Sequence, residues 1–162
     1  MVRQSQPTPE PSAINEQSLT QFVGFRLAGQ QYAFRIDQIQ EIVNPQQVTQ
    51  IPNAPAFVEG VSNLRGSIIP IINLRMMMGM PSHAADGETK TVVVNVGSRT
   101  IGCTVDSVTQ VMRVASDSIQ PPPDTVLADG ADYITGFATV NEQLVVLLDG
   151  DRLLAPDKLE TA

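Results

Sequence analysis

Phe22-Val23-Gly24-Phe25-Arg26-Leu27-Ala28-Gly29-Gln30-Gln31-Tyr32-Ala33-Phe34-Arg35-Ile36 reads as two short alternating runs either side of Ala28-Gly29-Gln30. Strand side chains alternate with a period of two, and a short break carrying Gly suits a hairpin turn. Thr91 to Val96, Gly97-Ser98-Arg99 and Thr100 to Val105 repeat that design. The chain holds 18 Val, 12 Ile and 12 Thr against two Tyr, five Phe and no Trp. β-Branched residues at that density favour pleated, half-buried surfaces over helices. Four stretches read as short helical turns: Asp37 to Val43, Leu74 to Gly79, Asp106 to Arg113 and Asp149 to Leu154. Three of them open on Asp, a favoured N-cap.

Moving outward, the hairpins belong to an internal repeat. A shift of 69 lays Ile36-Asp37-Gln38-Ile39 on Val105-Asp106-Ser107-Val108, Ile42 on Val111 and Phe25 on Val94. Beyond the Asp124 to Asp132 loop the shift becomes 76. There Phe57-Val58-Glu59-Gly60-Val61 lies on Tyr133-Ile134-Thr135-Gly136-Phe137, and Ile68 to Asn73 lies on Leu144 to Asp149. The unit is strand, strand, helical turn, strand, strand, strand. Five short antiparallel strands close naturally into a small barrel, which removes most exposed edges. The expected fold is all-β with short connecting helices, as two packed five-stranded barrels. The expected division is a disordered tail over 1–20, barrel one over 21–80 with a connector at 81–90, barrel two over 91–155, and a C-terminal tail over 156–162.

Composition bounds the function. The 162 residues equal one ordinary domain or two very small ones sharing a core. A chain of that length buries roughly 70% of the surface that its unfolded form exposes. Hydrophobic residues make up 42% and charged residues 17%, which does not suit general disorder. A net charge of −7 repels phosphate backbones and anionic membranes, so no nucleic-acid partner is expected. One cysteine excludes an intramolecular disulfide, the apolar runs are too short to span a bilayer, and Met1 to Gln21 has no apolar signal region. A soluble, cytoplasmic protein is the expectation.

Candidate chemistry is sparse, and no catalytic residue, metal or cofactor is assigned. His83, the one His, sits in the connector and reads as solvated. Cys103 shares a strand face with Ile101 and Val105 and reads as a small buried hydrophobe. No Gly-rich phosphate loop, HExxH pattern or Cys-x-x-Cys pair is present. Asp149-Gly150-Asp151 resembles a helix cap more than a calcium loop, and Met76-Met77-Met78 with Met80 reads as packing after a strand. The repeats differ most at one hairpin tip, where Asn63-Leu64-Arg65-Gly66 stands against Thr139-Val140-Asn141-Glu142. Arg65 there is either a solvated turn residue, pairing with Glu41 or Glu59, or a recognition residue.

Val61-Ser62-Asn63-Leu64-Arg65-Gly66-Ser67-Ile68-Ile69-Pro70-Ile71-Ile72-Asn73-Leu74-Arg75 resembles the signature stretch of the CheW family of chemotaxis coupling proteins. Asn53 to Gly60, Ile101 to Val108, Pro121-Pro122-Pro123 and Leu144 to Asp149 fit the same pattern; Asn73 departs from it, where the family often has Asp. The resemblance covers about Phe22 to Ala155. It implies two barrels of the Src-homology-3 type and a non-catalytic adaptor bridging chemoreceptor cytoplasmic tips to the histidine kinase CheA. The kinase's regulatory domain and the receptor's helical hairpin are the implied partners. By that resemblance Ile39, Glu41, Arg65, Gly102 and Val108 face the receptor, and Gly60 faces the kinase. A coupling protein of a twitching or type IV pilus pathway, or a small-ligand-binding double barrel, are the other readings.

Overall fold

A computed structural model describes residues 19–128 and 130–160, so residues 1–18 of the expected N-terminal tail lie outside the described residues. Leu19 and Thr20 already belong to the first strand. The strands are β1 (Leu19–Leu27), β2 (Gln30–Arg35), β3 (Ile39–Val43), β4 (Val58–Leu64), β5 (Ser67–Asn73), β6 (Lys90–Val96), β7 (Arg99–Val105), β8 (Ser107–Ala115), β9 (Ile134–Val140) and β10 (Gln143–Leu148). The helices are α1 (Leu74–Met77), α2 (Asp124–Ala128), α3 (Gly150–Leu153) and α4 (Pro156–Glu160). Ladders run β8-β1-β2-β10-β9 in one sheet and β3-β6-β7-β5-β4 in the other. Neighbours are antiparallel except β10 with β2 and β5 with β7. Each sheet curls until its ends meet: Gln120, beyond β8, bridges to Phe137 on β9, and Thr49, beyond β3, bridges to Val61 on β4. The all-β double barrel read from the sequence is the architecture observed.

The division of the barrels along the chain is corrected. Barrel one is built from 19–35 with 107–148, and barrel two from the continuous stretch 39–105. In terms of the repeat, each barrel joins the first hairpin of one unit to the last three strands of the other. Two parallel ladders impose this exchange, Ile71 to Asn73 on Gly102 to Thr104 and Val145 to Leu148 on Gln31 to Phe34. The chain crosses between barrels at the 3-10 turn Ile36–Gln38 and again at Asp106.

The helical turns expected over Asp37 to Val43 and Asp106 to Arg113 are strands β3 and β8. One extra residue bulges from each, beside Gln40 and beside Thr109, positions equivalent in the repeat. A bulge shifts the alternation by one residue. The apolar residues then fall at 39, 42, 43 and 108, 111, 112, a spacing that imitates a helix. A second matched pair of bulges lies beside Glu59 on β4 and Thr135 on β9. The other two turns shrink to α1 and α3. Their caps are equivalent: Asn73 Oδ1 accepts from Met76 N at 3.1 Å, and Asp149 Oδ1 accepts from Asp151 N at 2.9 Å. Of the expected C-terminal tail, Pro156–Glu160 is helical, with Lys158 Nζ 2.6 Å from Asp132 and 5.2 Å from the Tyr133 ring centroid.

Both faces of the inner strands are covered, which is why runs such as Val92-Val93-Val94 and Val145 to Leu148 look continuously apolar. Phe22, Ala33, Met112, Val145 and Leu147 fill barrel one; Leu64, Ile69, Ile71 and Val93 fill barrel two. The alternate residues make a central layer between the barrels, with Phe25, Leu27, Phe34, Ile72, Val94, Ile101 and Leu148 at its heart. Cys103 lies in this layer, where burial pushes its thiol up to about 12. Met77, Met78 and Met80 pack against its margin, as satellite packing requires. Asp106 ties the barrels together at their crossing. Its carboxylate accepts from Arg75 Nε at 2.8 Å and Nη2 at 2.5 Å and from Ala28 N at 2.9 Å, while its own N–H donates to Arg26 O at 3.1 Å.

Candidate interaction surface

The hairpin tip singled out by the repeat comparison is an ordered, charged corner. Arg65 and Gly66 take φ of +53° and +91°, the left-handed region a two-residue hairpin turn demands, and Asn63 Oδ1 accepts from Gly66 N at 2.9 Å. Arg65 therefore leaves a fixed base. Its guanidinium reaches back to β3, with Nη2 2.7 Å from Glu41 Oε1 and Nε 3.2 Å from Glu41 Oε2. A two-pronged pair of this kind fixes the planes of both groups. The Arg65 hydrogen bond holds the Glu41 carboxyl below its usual range, and Glu41 raises the guanidinium in return. The Arg65 side chain is nevertheless 72% exposed, so it remains available to another surface. In barrel one the equivalent positions are Gln110 and Asn141, so the charge belongs to barrel two alone.

Ile39 opens β3 beside this corner, half-buried against the central layer. Val108 opens β8 at the equivalent place in barrel one and packs against the same layer. Both lie on strands, at the two points where the chain has just crossed between barrels. Thus the structure joins Glu41 to Arg65 directly, sets Ile39 on the strand that carries Glu41, and puts Val108 at the equivalent site on the other barrel.

The two glycines sit differently. Gly102 is buried inside barrel two, where an added Cβ would meet Ile71 Cδ1 at 2.7 Å and Thr91 Cγ2 at 3.0 Å. Gly60 is buried on β4 under the closing bridge, with φ of +144° and only 2.1 Å between an added Cβ and Thr49 O. Neither offers a side chain to a partner; each holds neighbouring strands close. Sequence reasoning missed the exposed aliphatics. Ile42 and Val111 are equivalent on β3 and β8, and Ile68 and Leu144 are equivalent on β5 and β10. Ile68 is 64% exposed beside a cleft lined by Gln47, Thr49, Val61 and Asn63. Its signal was present in Ser67-Ile68-Ile69-Pro70-Ile71, where strand alternation puts Ile68 on the outer face.

Among the described residues no group of three or more His, Cys, Asp or Glu could hold a metal ion, and no helix is long and apolar enough to cross a membrane. The family model of the CheW-like domain matches residues 21–158. The chain is 35% identical over 139 residues to chemotaxis protein CheW of Klebsiella aerogenes, covering 86% of this chain and 84% of that one. It is 32% identical over 155 residues to chemotaxis protein CheW of Helicobacter pylori, covering 96% and 93%. The crystal structure of the scaffolding protein TtCheW from Thermoanaerobacter tengcongensis superimposes with a TM-score of 0.79 at 30% identity, over 88% of this chain and 97% of that one. The doubled barrel and these matches along nearly the whole length agree: this chain belongs to the CheW-like family.

Proposed function

We propose that this chain is a non-catalytic adaptor that couples the cytoplasmic tips of chemoreceptors to a CheA-type histidine kinase. It works in the cytoplasm and meets the membrane only through those receptors. The observation that carries this reading is the Arg65–Glu41 corner, paired in two-pronged geometry at the exposed tip of a barrel, in a chain that the CheW-like family model matches over residues 21–158. A forked cation with one side tied down presents its remaining donors in a fixed direction, which suits recognition of polar groups along a helical hairpin. Glu41 and Arg65 supply the polar part of the receptor face, and Ile39 and Val108 supply apolar flanks. Gly102 contributes by keeping β7 tight against Ile71, and Gly60 serves the kinase side by holding β4 in place.

Removing a hot-spot side chain from an interface costs about 2 kcal/mol or more, and 1.4 kcal/mol is a factor of ten. Arg65→Ala is therefore expected to weaken co-sedimentation with receptor-containing membranes at least tenfold. An exposed ion pair adds little to folding, so the variant's melting curve should stay close to the parent's. Undiminished recruitment by the folded variant would defeat the assignment. A pull-down in which the chain retains kinase and receptor fragment together tests the adaptor role itself.

A further inference from the structure

Gln31, Ser62, Thr89 and Thr91 are the buried polar residues among the described residues. Three of them are satisfied. Gln31 Nε2 donates to Gln143 Oε1 at 3.0 Å, Ser62 Oγ donates to Gln47 O at 2.7 Å, and Thr89 Oγ1 accepts from Asp86 N at 2.9 Å. Thr91 is 2% exposed, and its hydroxyl has no hydrogen-bond partner among the described residues. A buried hydroxyl left unpaired is costly, so it calls for a partner. Thr91 lines a 250 Å³ cleft of barrel two together with Thr89, Thr104, Val48, Ile71 and Glu59. Its methyl Cγ2 is turned toward Gly102, which leaves the hydroxyl to the cleft. Thr104 is the cross-strand neighbour of Thr91, and its hydroxyl has no partner among the described residues either. Glu59, the one carboxylate on the wall, is half-buried and forms no ion pair among the described residues.

The fold does not demand these groups. The repeat puts Phe22 where barrel two has Thr91, and Arg35 where it has Thr104, again as cross-strand neighbours. Phe22 is buried, and Arg35 pairs with Asp37 at 2.6 Å. Glu59 takes the place of Thr135, whose hydroxyl donates to Leu147 O at 3.2 Å. Barrel one thus fills these places with an aromatic ring and paired groups, while barrel two keeps two hydroxyls and a carboxylate unpaired. We propose that the barrel-two cleft binds a small amino alcohol, its ammonium on Glu59 and its hydroxyl on Thr91 and Thr104. An ammonium donates only and takes a carboxylate as its counter-charge, whereas a hydroxyl both donates and accepts, as the threonine pair does. Val48 and Ile71 offer apolar wall to the aliphatic stem. Pockets for drug-sized ligands start at about 300 Å³, so this cleft takes something smaller. It lies at the Asn73 end of β5 and Arg65 beside the Ser67 end, which leaves the ion-paired corner uncovered.

Titration of the full chain with 3-amino-1-propanol at about pH 8, where an alkylamine is still protonated, tests the site. The amide signals of Thr91 and Thr104 should shift saturably with a Kd below about 10 mM, and those of Phe22 and Arg35 should not. 1-Butanol replaces the ammonium by a methyl group and should bind about tenfold more weakly; n-butylamine replaces the hydroxyl and should lose about fivefold. Glu59→Gln should weaken both amines about tenfold. Thr91→Val keeps the side chain's shape and should weaken 3-amino-1-propanol about fivefold while leaving n-butylamine unchanged, a difference that a merely structural role would not produce. Absence of saturable shifts would mean that water alone serves the Thr91 hydroxyl and would overturn the proposal. Equal binding of 1-butanol, or equal weakening of both amines by Thr91→Val, would overturn it as well.

Discussion

Gly60 and Gly136 do the same work in the two barrels. At each, an added Cβ would strike the segment that closes the ring, Thr49 O at 2.1 Å for Gly60, and Ile119 Cγ2 at 2.6 Å and Gln120 O at 2.8 Å for Gly136. Gly60 also holds φ of +144°, where an L side chain is strained by about 1–3 kcal/mol before any collision is counted. Gly60→Ala is expected to lower stability by about 3 kcal/mol or more, read as a shifted urea midpoint. Gly136→Ala should cost less, since its φ is not in the left-handed region. The alignment of these glycines was visible in the sequence, because Gly60 and Gly136 coincide under the repeat. Their purpose was not, since the closing segment comes from a loop with no strand pattern. Cys103 was fully legible, its neighbours Ile101 and Val105 marking a buried face. Arg65 was half legible: Gly66 announced the turn, but the choice of Glu41 over Glu59 depends on how β3 lies beside the hairpin.

At the level of elements, the hairpins were legible and the crossings were not. Period-two alternation and Gly at the breaks locate β1–β2 and β6–β7. Bulges beside Gln40 and Thr109 disguise β3 and β8 as helices, because one extra residue breaks the period on which the reading rests. The second crossing carries its own titration. Asp106 joins α1, through Arg75, to the turn between β1 and β2, through Ala28 N. Arg75's hydrogen bond, assisted by the Ala28 N–H, holds the carboxyl below its ordinary value of 3.8. The unfolded chain therefore takes up this proton first. The resulting stability is present above about pH 4 and is lost as pH falls through the lower folded value. Urea denaturation between pH 5 and pH 3 should show a shallower loss of stability for Asp106→Asn than for the parent. Equal slopes would show that the crossing does not hold the barrels together electrostatically.

Over the whole molecule, duplication was legible and exchange was not. Matching apolar classes reveal that β1–β5 and β6–β10 are copies, but a strand's alternation does not say which edge it will join. Parallel ladders between β5 and β7 and between β10 and β2 decide that question, and they leave no barrel within a single copy. Every ladder outside the four hairpins runs between copies: β1 with β8, β3 with β6, β5 with β7 and β2 with β10. Fragments 19–79 and 88–160 are expected to show no cooperative melting alone. Co-expressed, they should form a one-to-one complex with the circular dichroism of the intact chain. A cooperative transition from either fragment by itself would contradict the exchanged architecture.

Nesting barrel two inside the chain of barrel one also sets an order of birth on the ribosome. The hairpin of residues 19–35 emerges first, yet its partners end at Leu148, about 110 residues later. At about 5–20 residues per second, Phe22, Phe25 and Phe34 wait on the order of 6–20 s without the strands that will cover them. Barrel two is meanwhile completed at Val105 and gives that early hairpin its first apolar wall, so the element translated first is the last to be enclosed.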